Sequence, residues 1–175
     1  MLNYLVITAL GDNSPQLVKS FSRAIKDCGC NIVDSRMTVL GNEFTIILML
    51  SGAWDTIAKM EGMLPKLEKQ LELSITSKRT KPVKAAGDLM PYAIDVVSLD
   101  HVGVVHDIAD FITSNNIIIQ DMYTNSYQAA NTGTQMFSLH MTINVPTSTS
   151  IATLRGDFID FCDRLNLDAI MEPVK

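Results

Sequence analysis

Two turns of the chain carry the groups that could bind a small amino acid. Each turn follows an apolar run and opens a helical pattern, so unpaired N–H groups at the helix start can receive a carboxylate. An acidic side chain on the adjacent second strand, Asp34 or Asp121, could accept the ammonium group. The candidate ligand-binding residues are Asp100, His101, Gly103, Val104 and Asp121 in the second half of the chain, and Asn13, Gln16, Leu17, Asn31 and Asp34 in the first.

A simpler interpretation makes Asn13 and Asp100 helix caps, because Asn and Asp are preferred capping residues. Capping alone would explain both residues, so the two interpretations stay open. The turns themselves differ at one position. The Gln16 side chain narrows the path of a ligand to the backbone at the helix start, whereas Gly103 leaves that path open. This difference favours the second turn as the ligand site.

Other reactive residue types form no recognisable catalytic group. Cys28 and Cys30 could be a redox pair or half of a metal site, but no further ligands stand at metal spacing, so we expect them to pack in the core. His101, His106 and His140 are spread through the second half, and we expect solvated side chains there. The sequence predicts no enzyme, no metal and no cofactor.

Composition narrows the partners. A net charge of −5 argues against direct nucleic-acid binding, which needs a field of Lys and Arg. No apolar run approaches the ~20 residues of a membrane span and no signal peptide is evident, so a cytoplasmic protein is expected. The hydrophobic fraction of 47% and the mean hydropathy of +0.18 indicate apolar surface kept for an interface. We therefore expect the two halves to pack together and the chain to form a homo-oligomer.

The chain repeats itself at an offset of 87 residues. The apolar stripe Leu17, Val18, Phe21, Ala24 and Ile25 falls on Val104, Val105, Ile108, Phe111 and Ile112 at that offset. Five core positions in one helical register are unlike a chance match, so the chain is a tandem duplication.

Each copy follows the same order of elements. In the first copy, predicted strands lie at 4–10, 31–40, 43–50 and 71–75, with helices from Pro15 and over 54–70. In the second copy, predicted strands lie at 92–97, 118–127, 135–145 and 167–171; a turn covers 98–102, the apolar stripe of the first helix begins at Val104, and the second helix covers 148–165. The order βαββαβ predicts an α+β fold of two ferredoxin-like domains, each a four-stranded antiparallel sheet with both helices on one face. The predicted domains are 1–80 and 91–175, joined by a linker at 81–90. The basic cluster Lys78, Arg79, Lys81 and Lys84 is expected to be solvated linker.

The opening of each copy resembles the ACT domain, whose usual wording is Asp-Arg-Pro-Gly at the turn and Gly-x-Asn-Ile at the second strand. The first copy has Asn13-Ser14-Pro15-Gln16 and Gly29-Cys30-Asn31-Ile32. The second copy has Asp100-His101-Val102-Gly103 and Asn116-Ile117-Ile118-Ile119.

Further wording in the first copy resembles the bacterial glycine cleavage system transcriptional repressor family. The matching segments are Tyr-Leu-Val-Ile-Thr-Ala-Leu-Gly at 4–11, Cys-Gly-Cys-Asn-Ile at 28–32, Asp-Ser-Arg at 34–36 and Leu-Ser-Gly-x-Trp at 50–54. The resemblance implies a tandem-ACT regulator that binds a DNA-binding transcriptional activator, a contact that glycine relieves. The family resemblance favours the first turn as the ligand site, whereas the turn motif itself favours the second. The alternative is an amino-acid sensor that modulates a metabolic enzyme.

Overall fold

The computed structural model describes residues 2–82 and 87–174, which fall into two compact units, Met1–Lys84 and Ala85–Lys175. The elements of the first unit are β1 (Asn3–Asp12), α1 (Leu17–Cys28), β2 (Asn31–Leu40), β3 (Glu43–Gly52), α2 (Trp54–Leu71) and β4 (Ser74–Thr80). Those of the second are β5 (Leu89–Leu99), α3 (Val104–Ser114), β6 (Ile118–Gln128), β7 (Gln135–Pro146), α4 (Ile151–Arg164) and β8 (Asp168–Pro173).

Each unit is one antiparallel sheet with two helices on one face. The strand order is β2-β3-β1-β4 in the first unit and β6-β7-β5-β8 in the second. In both, the first strand lies at the centre and the second strand lies at an edge. The predicted α+β architecture of two βαββαβ units is confirmed.

Alternating side chains of the central strands build each core. In β7 the residues Phe137, Leu139, Met141, Ile143 and Val145 are buried, while the residues between them are partly exposed. The helices add their own apolar stripes, of which Phe21 on α1 and Phe158 on α4 are the largest fully buried side chains. The alternation predicted for this strand is confirmed because one face meets the helices and the other does not.

The helix ends follow local backbone chemistry. Gly29 ends α1 in the left-handed region at φ 82°, and its N–H donates to the carbonyls of Ile25 and Lys26, as predicted. At the other end, α1 begins at Leu17, two residues after Pro15, where the pattern predicts its first residue. Helix α3 begins at Val104, the first residue of its predicted apolar stripe.

The first unit has the predicted fourth strand, but the predicted bounds 71–75 were wrong. Leu71 is still helical, and Glu72 turns the chain in the left-handed region at φ 52° before β4 begins at Ser74. The alternating residues 71–75 therefore belong mostly to the end of α2 and its cap. Lys78 and Arg79, expected in a linker, lie in β4 opposite Val6 and Leu5 of β1.

The predicted linker 81–90 is shorter in the structure. Strand β5 begins at Leu89, inside that range. Residues 83–86, including Lys84 of the basic cluster, lie outside the described residues. Among the described helices, none is long and apolar enough to cross a membrane.

Candidate ligand-binding site

The turn between β5 and α3 presents free backbone amides. Gly103 precedes the helix with φ 102°, a conformation that favours glycine, and the first helical hydrogen bond runs from Asp107 N to Gly103 O at 2.9 Å. Within the described part of the chain, the N–H groups of Val104, Val105 and His106 donate to no acceptor. Three amides and the positive end of the helix dipole therefore meet at one place.

Two carboxylates belong to the same turn. The backbone N–H of Asp100 donates to Gln135 O at 3.1 Å, which ties the turn to β7, and its side chain has no hydrogen bond or ion pair among the residues described. Asp107 Oδ2 lies 3.8 Å from the point where a Cβ on Gly103 would stand. The turn thus combines amide donors with carboxylate acceptors, the pair of groups that a zwitterion requires.

Helix capping by Asp100 is not what the structure shows. The capping position of α3 is Gly103, and α3 receives no side-chain cap hydrogen bond. Because α3 starts at Val104, four residues after Asp100, Asp100 is too far from the first helical turn to serve as its cap. Its carboxylate is left exposed beside the turn.

His101 and Val104 have different relations to this turn. His101 Nδ1 lies 3.0 Å from Leu99 O, and because a carbonyl only accepts, Nδ1 carries the hydrogen and Nε2 is left for another partner. Val104 is buried, so its side chain anchors α3 in the core and only its N–H faces the turn. Asp107 was missed by sequence analysis, although an acid four residues after Gly103 was a usable signal.

Asp121 does not face this turn within the domain. It lies on edge strand β6 opposite Thr142 of β7, and Thr142 lies opposite Ala93 of β5, six residues before the strand ends at Leu99. At about 3.3 Å per residue, the separation along the sheet is about 20 Å. The predicted adjacency was wrong because β7 lies between β5 and β6. Asp121 instead accepts the N–H of Met122 at 3.0 Å.

The corresponding turn of the first unit is more closed. Leu17 N donates to Ser14 O at 3.1 Å, and Gln16 N approaches Ser14 Oγ at 3.5 Å. Gln16 itself holds the capping position, so capping by Asn13 is also excluded; the Asn13 N–H donates to Asn42 O at 3.0 Å. The side chain of Leu17 is buried, as is that of Val104. This turn therefore offers fewer free donors than the turn at Gly103.

Asn31 and Asp34 lie far from the first turn. Asn31 pairs with Ser51, which lies opposite Tyr4 near the start of β1, whereas the turn follows the end of that strand. The Asp34 carboxylate forms an ion pair with Arg36 and accepts the Ser35 N–H at 2.8 Å. Its pKa is lowered, first by the hydrogen bond from Arg36 and then by that from Ser35. The second strand again lies at the edge, with β3 between it and β1.

The remaining reactive groups have structural partners. Cys28 is buried and Cys30 Sγ lies 3.8 Å from Thr56 O, and burial raises the pKa of both thiols. The described ranges contain no group of three His, Cys, Asp or Glu residues arranged to hold a metal ion. His140 was expected to be solvated, but it has two side-chain contacts. Its Nδ1 lies 2.7 Å from Asp95 Oδ1, and its ring stacks on that of Tyr123 with the ring centroids 4.8 Å apart.

Comparison with known proteins supports the family resemblance. The family model described as the ACT domain matches residues 3–78. The glycine cleavage system transcriptional repressors of Escherichia coli K12 and Shigella flexneri are each 32% identical to this chain over 166 residues, which cover 94% of this chain and 86% of each relative.

Two solved structures match this chain over its full length. A crystal structure assigned provisionally as a glycine cleavage system transcriptional repressor is 26% identical, with a TM-score of 0.75 over 100% of this chain and 99% of that one. A crystal structure of an unknown protein from Galdieria sulphuraria is 21% identical, with a TM-score of 0.79 over 100% of both chains, and shows the fold alone. With 32% identity over 94% of its length to named repressors, this chain belongs to the glycine cleavage system transcriptional repressor family, whose members here are regulatory proteins built on tandem ACT domains.

Proposed function

We propose that this protein represses transcription by binding a DNA-binding transcriptional activator, and that glycine bound at the Asp100–Asp107 turn weakens that contact. The observation that carries the regulatory role is the 32% identity, over 94% of the chain, to proteins named as transcriptional repressors. The acidic balance of −5 supports action through another protein, because a direct DNA reader needs a basic surface.

Support for an amino-acid ligand comes from the turn itself. The free amides of Val104, Val105 and His106 suit a carboxylate, and the carboxylates of Asp100 and Asp107 suit an ammonium group. Because Gly103 has no side chain, a ligand carboxylate can reach these amides. His101 Nε2 and the backbone of Val104 complete the proposed contacts, whereas Asp121 is left out because of its distance along the sheet.

The first turn is the second choice for the ligand. Asn13, Gln16 and Leu17 stand at the matching positions, but Ser14 already occupies part of the donor set and Gln16 carries a side chain. Asn31 and Asp34 lie on β2, and β3 separates them from β1 and its turn. They could contact a ligand at this turn only if they came from another copy of the chain.

The affinity for glycine has a physical ceiling. Glycine has about five heavy atoms, and the best small ligands gain about −1.5 kcal/mol per atom, so about −7.5 kcal/mol is the limit. That limit corresponds to a Kd of about 3 μM, and a real site should fall between that value and about 1 mM. Such a ligand still regulates well, since a coupling of about 1–3 kcal/mol changes partner affinity about 5- to 150-fold.

Titration calorimetry with glycine tests the proposed site. We expect wild type to bind glycine but not acetate, which lacks the ammonium group. The double variant Asp100→Asn with Asp107→Asn should bind at least about tenfold more weakly, because both acceptors for the ammonium group lose their charge. Asp55→Asn is the matched control, since Asp55 is also an acid in the first turn of a helix, α2, and lies in the other unit.

Two results would count against this proposal. Unchanged glycine binding in the double variant would move the site away from this turn. Absence of heat with wild type at up to about 50 mM glycine would remove glycine from the account.

A further inference from the structure

The two halves of the chain carry opposite charge. Residues 1–84 contain eleven Lys and Arg against eight Asp and Glu, a formal charge of +3. Residues 85–175 contain three against eleven, a formal charge of −8. The helices share this division: α1 and α2 together carry +2, while α3 and α4 together carry −3. The net charge of −5 is therefore the sum of two units of opposite charge.

A basic groove runs between α1 and α2. It has a volume of about 480 Å³, and its lining includes Lys19 and Arg23 of α1 and Lys66 of α2. None of these three cations forms an ion pair within residues 2–82 and 87–174, although one carboxylate, Asp27, lies in the same lining. Unpaired cations above an apolar floor are a surface suited to an acidic partner that also carries apolar groups.

The groove exists because of a small residue. Ala24 and Leu67 lie in its lining, and Ala24 corresponds to Phe111 at the repeat offset of 87. In the second unit Phe111 stacks on Phe161 of α4 at 4.9 Å and packs against Phe158 at 5.4 Å. The aromatic rings therefore fill, in the second unit, the space that Ala24 leaves open in the first.

The two helices that carry these rings hold five acidic residues against two basic ones, Arg155 and Arg164. Asp110 precedes Phe111 on α3, and Asp157 and Asp160 lie within one helical turn of Phe161 on α4. All three are exposed, and no ion pair among the described residues involves them. We define this surface, Phe111 and Phe161 with Asp110, Asp157 and Asp160, as the acidic face.

We propose that two copies of the chain associate by placing the acidic face of one on the basic groove of the other. The groove and the face are complementary in charge. Each copy owns both surfaces, so two copies hold two grooves and two faces between them. Charge complementarity of this kind gives specificity and makes association depend on salt.

Sedimentation equilibrium on the intact chain tests the proposal with two charge-reversed variants. The groove variant is Arg23→Glu with Lys66→Glu, and the face variant is Asp110→Lys with Asp160→Lys. Each alone should dimerise at least about tenfold more weakly than wild type, because like charges then face each other. Mixed in equal amounts, the two variants should recover dimers, since the reversed groove meets the reversed face and the other contact is native.

A control and a salt series separate this contact from general charge effects. Lys78→Glu with Lys81→Glu changes the charge of the first unit by the same amount outside the groove, and it should dimerise like wild type. Wild-type dimers should weaken between about 0.1 M and about 1 M salt, where the Debye length falls from about 10 Å to about 3 Å. A wild-type monomer at every concentration in low salt overturns the proposal and leaves the groove to an acidic segment of another protein. Failure of the mixed variants to recover dimers also overturns it.

Discussion

At the level of single residues, the two turns differ because of what stands at one position. Gly103 leaves the start of α3 open, while Gln16 places a side chain at the start of α1. The sequence alone was sufficient to identify this difference. Asp107 was not identified, because its nearness to Gly103 depends on the left-handed backbone at Gly103, which the apolar spacing does not show.

Two glycines should respond in opposite directions to alanine. Gly103→Ala should lower the free energy of unfolding by about 1–3 kcal/mol, because φ 102° strains any residue with a Cβ. Gly156→Ala, inside α4 with nothing within 4 Å of the added Cβ, should raise it by about 0.5–1 kcal/mol. Urea unfolding of the intact chain measures both, and a stabilising Gly103→Ala would contradict the assigned conformation.

Cys162, the one cysteine in residues 85–175, should be unreactive in the folded chain. Burial raises its pKa to about 11, so the proton is held more tightly in the folded chain. The resulting contribution to stability is complete below the unfolded pKa of about 8.5 and is lost as the pH rises towards about 11. At pH 8, iodoacetamide should label Cys162 only in urea. Labelling of the native chain at the rate of an unfolded thiol would show that this side chain is not buried.

At the level of elements, the repeat predicted most of the fold but not the end of α2. The residues Leu71, Leu73 and Ile75 alternate as a strand would, yet Leu71 closes a helix and Leu73 is buried beneath it. The true strand contains Arg79, whose guanidinium donates to Glu61 Oε1 and Oε2 of α2 at 2.9 and 2.7 Å and lies 5.8 Å from the Trp54 ring centroid. The basic residues at 78–79 resembled a linker in the sequence because the acid that pairs with Arg79, Glu61, lies 18 residues earlier on α2.

The Arg79 contact should be detectable in stability. Arg79→Ala should lower the urea midpoint of the first unit, whereas Lys78→Ala, on the opposite face of β4, should leave it unchanged. The Arg79 hydrogen bonds lower the pKa of Glu61, so the contribution is present above the unfolded carboxyl pKa of about 4.3 and is lost as pH falls through the lower folded value. Equal urea midpoints for Arg79→Ala and Lys78→Ala at pH 7 would refute the contact. At low pH, where Glu61 is protonated, we expect the two midpoints to become equal.

At the level of the whole molecule, the offset of 87 residues predicted the duplication, and the two sheets confirm it. The site was less predictable, because matched residues on second strands are separated from the turns by a central strand. The net charge of −5 also conceals two halves of opposite sign. A sum over the chain cannot show where charges lie.

The isolated protein should show no sequence-specific DNA binding. The reason for this expectation is the net charge of −5, which opposes approach to the phosphate backbone of a duplex. A gel-shift assay at low salt is the severe condition, since charge attraction is then strongest. A retarded band that only one cognate sequence competes away would contradict this expectation.

The most direct test of the account is capture of a partner in the presence and absence of glycine. Immobilised intact chain, incubated with native lysate, should retain a DNA-binding transcriptional regulator, and added glycine should reduce that retention for wild type. The variant with Asp100→Asn and Asp107→Asn should retain the same regulator regardless of glycine. Retention of a metabolic enzyme in place of a regulator, or retention by wild type that glycine leaves unchanged, would contradict the proposed function.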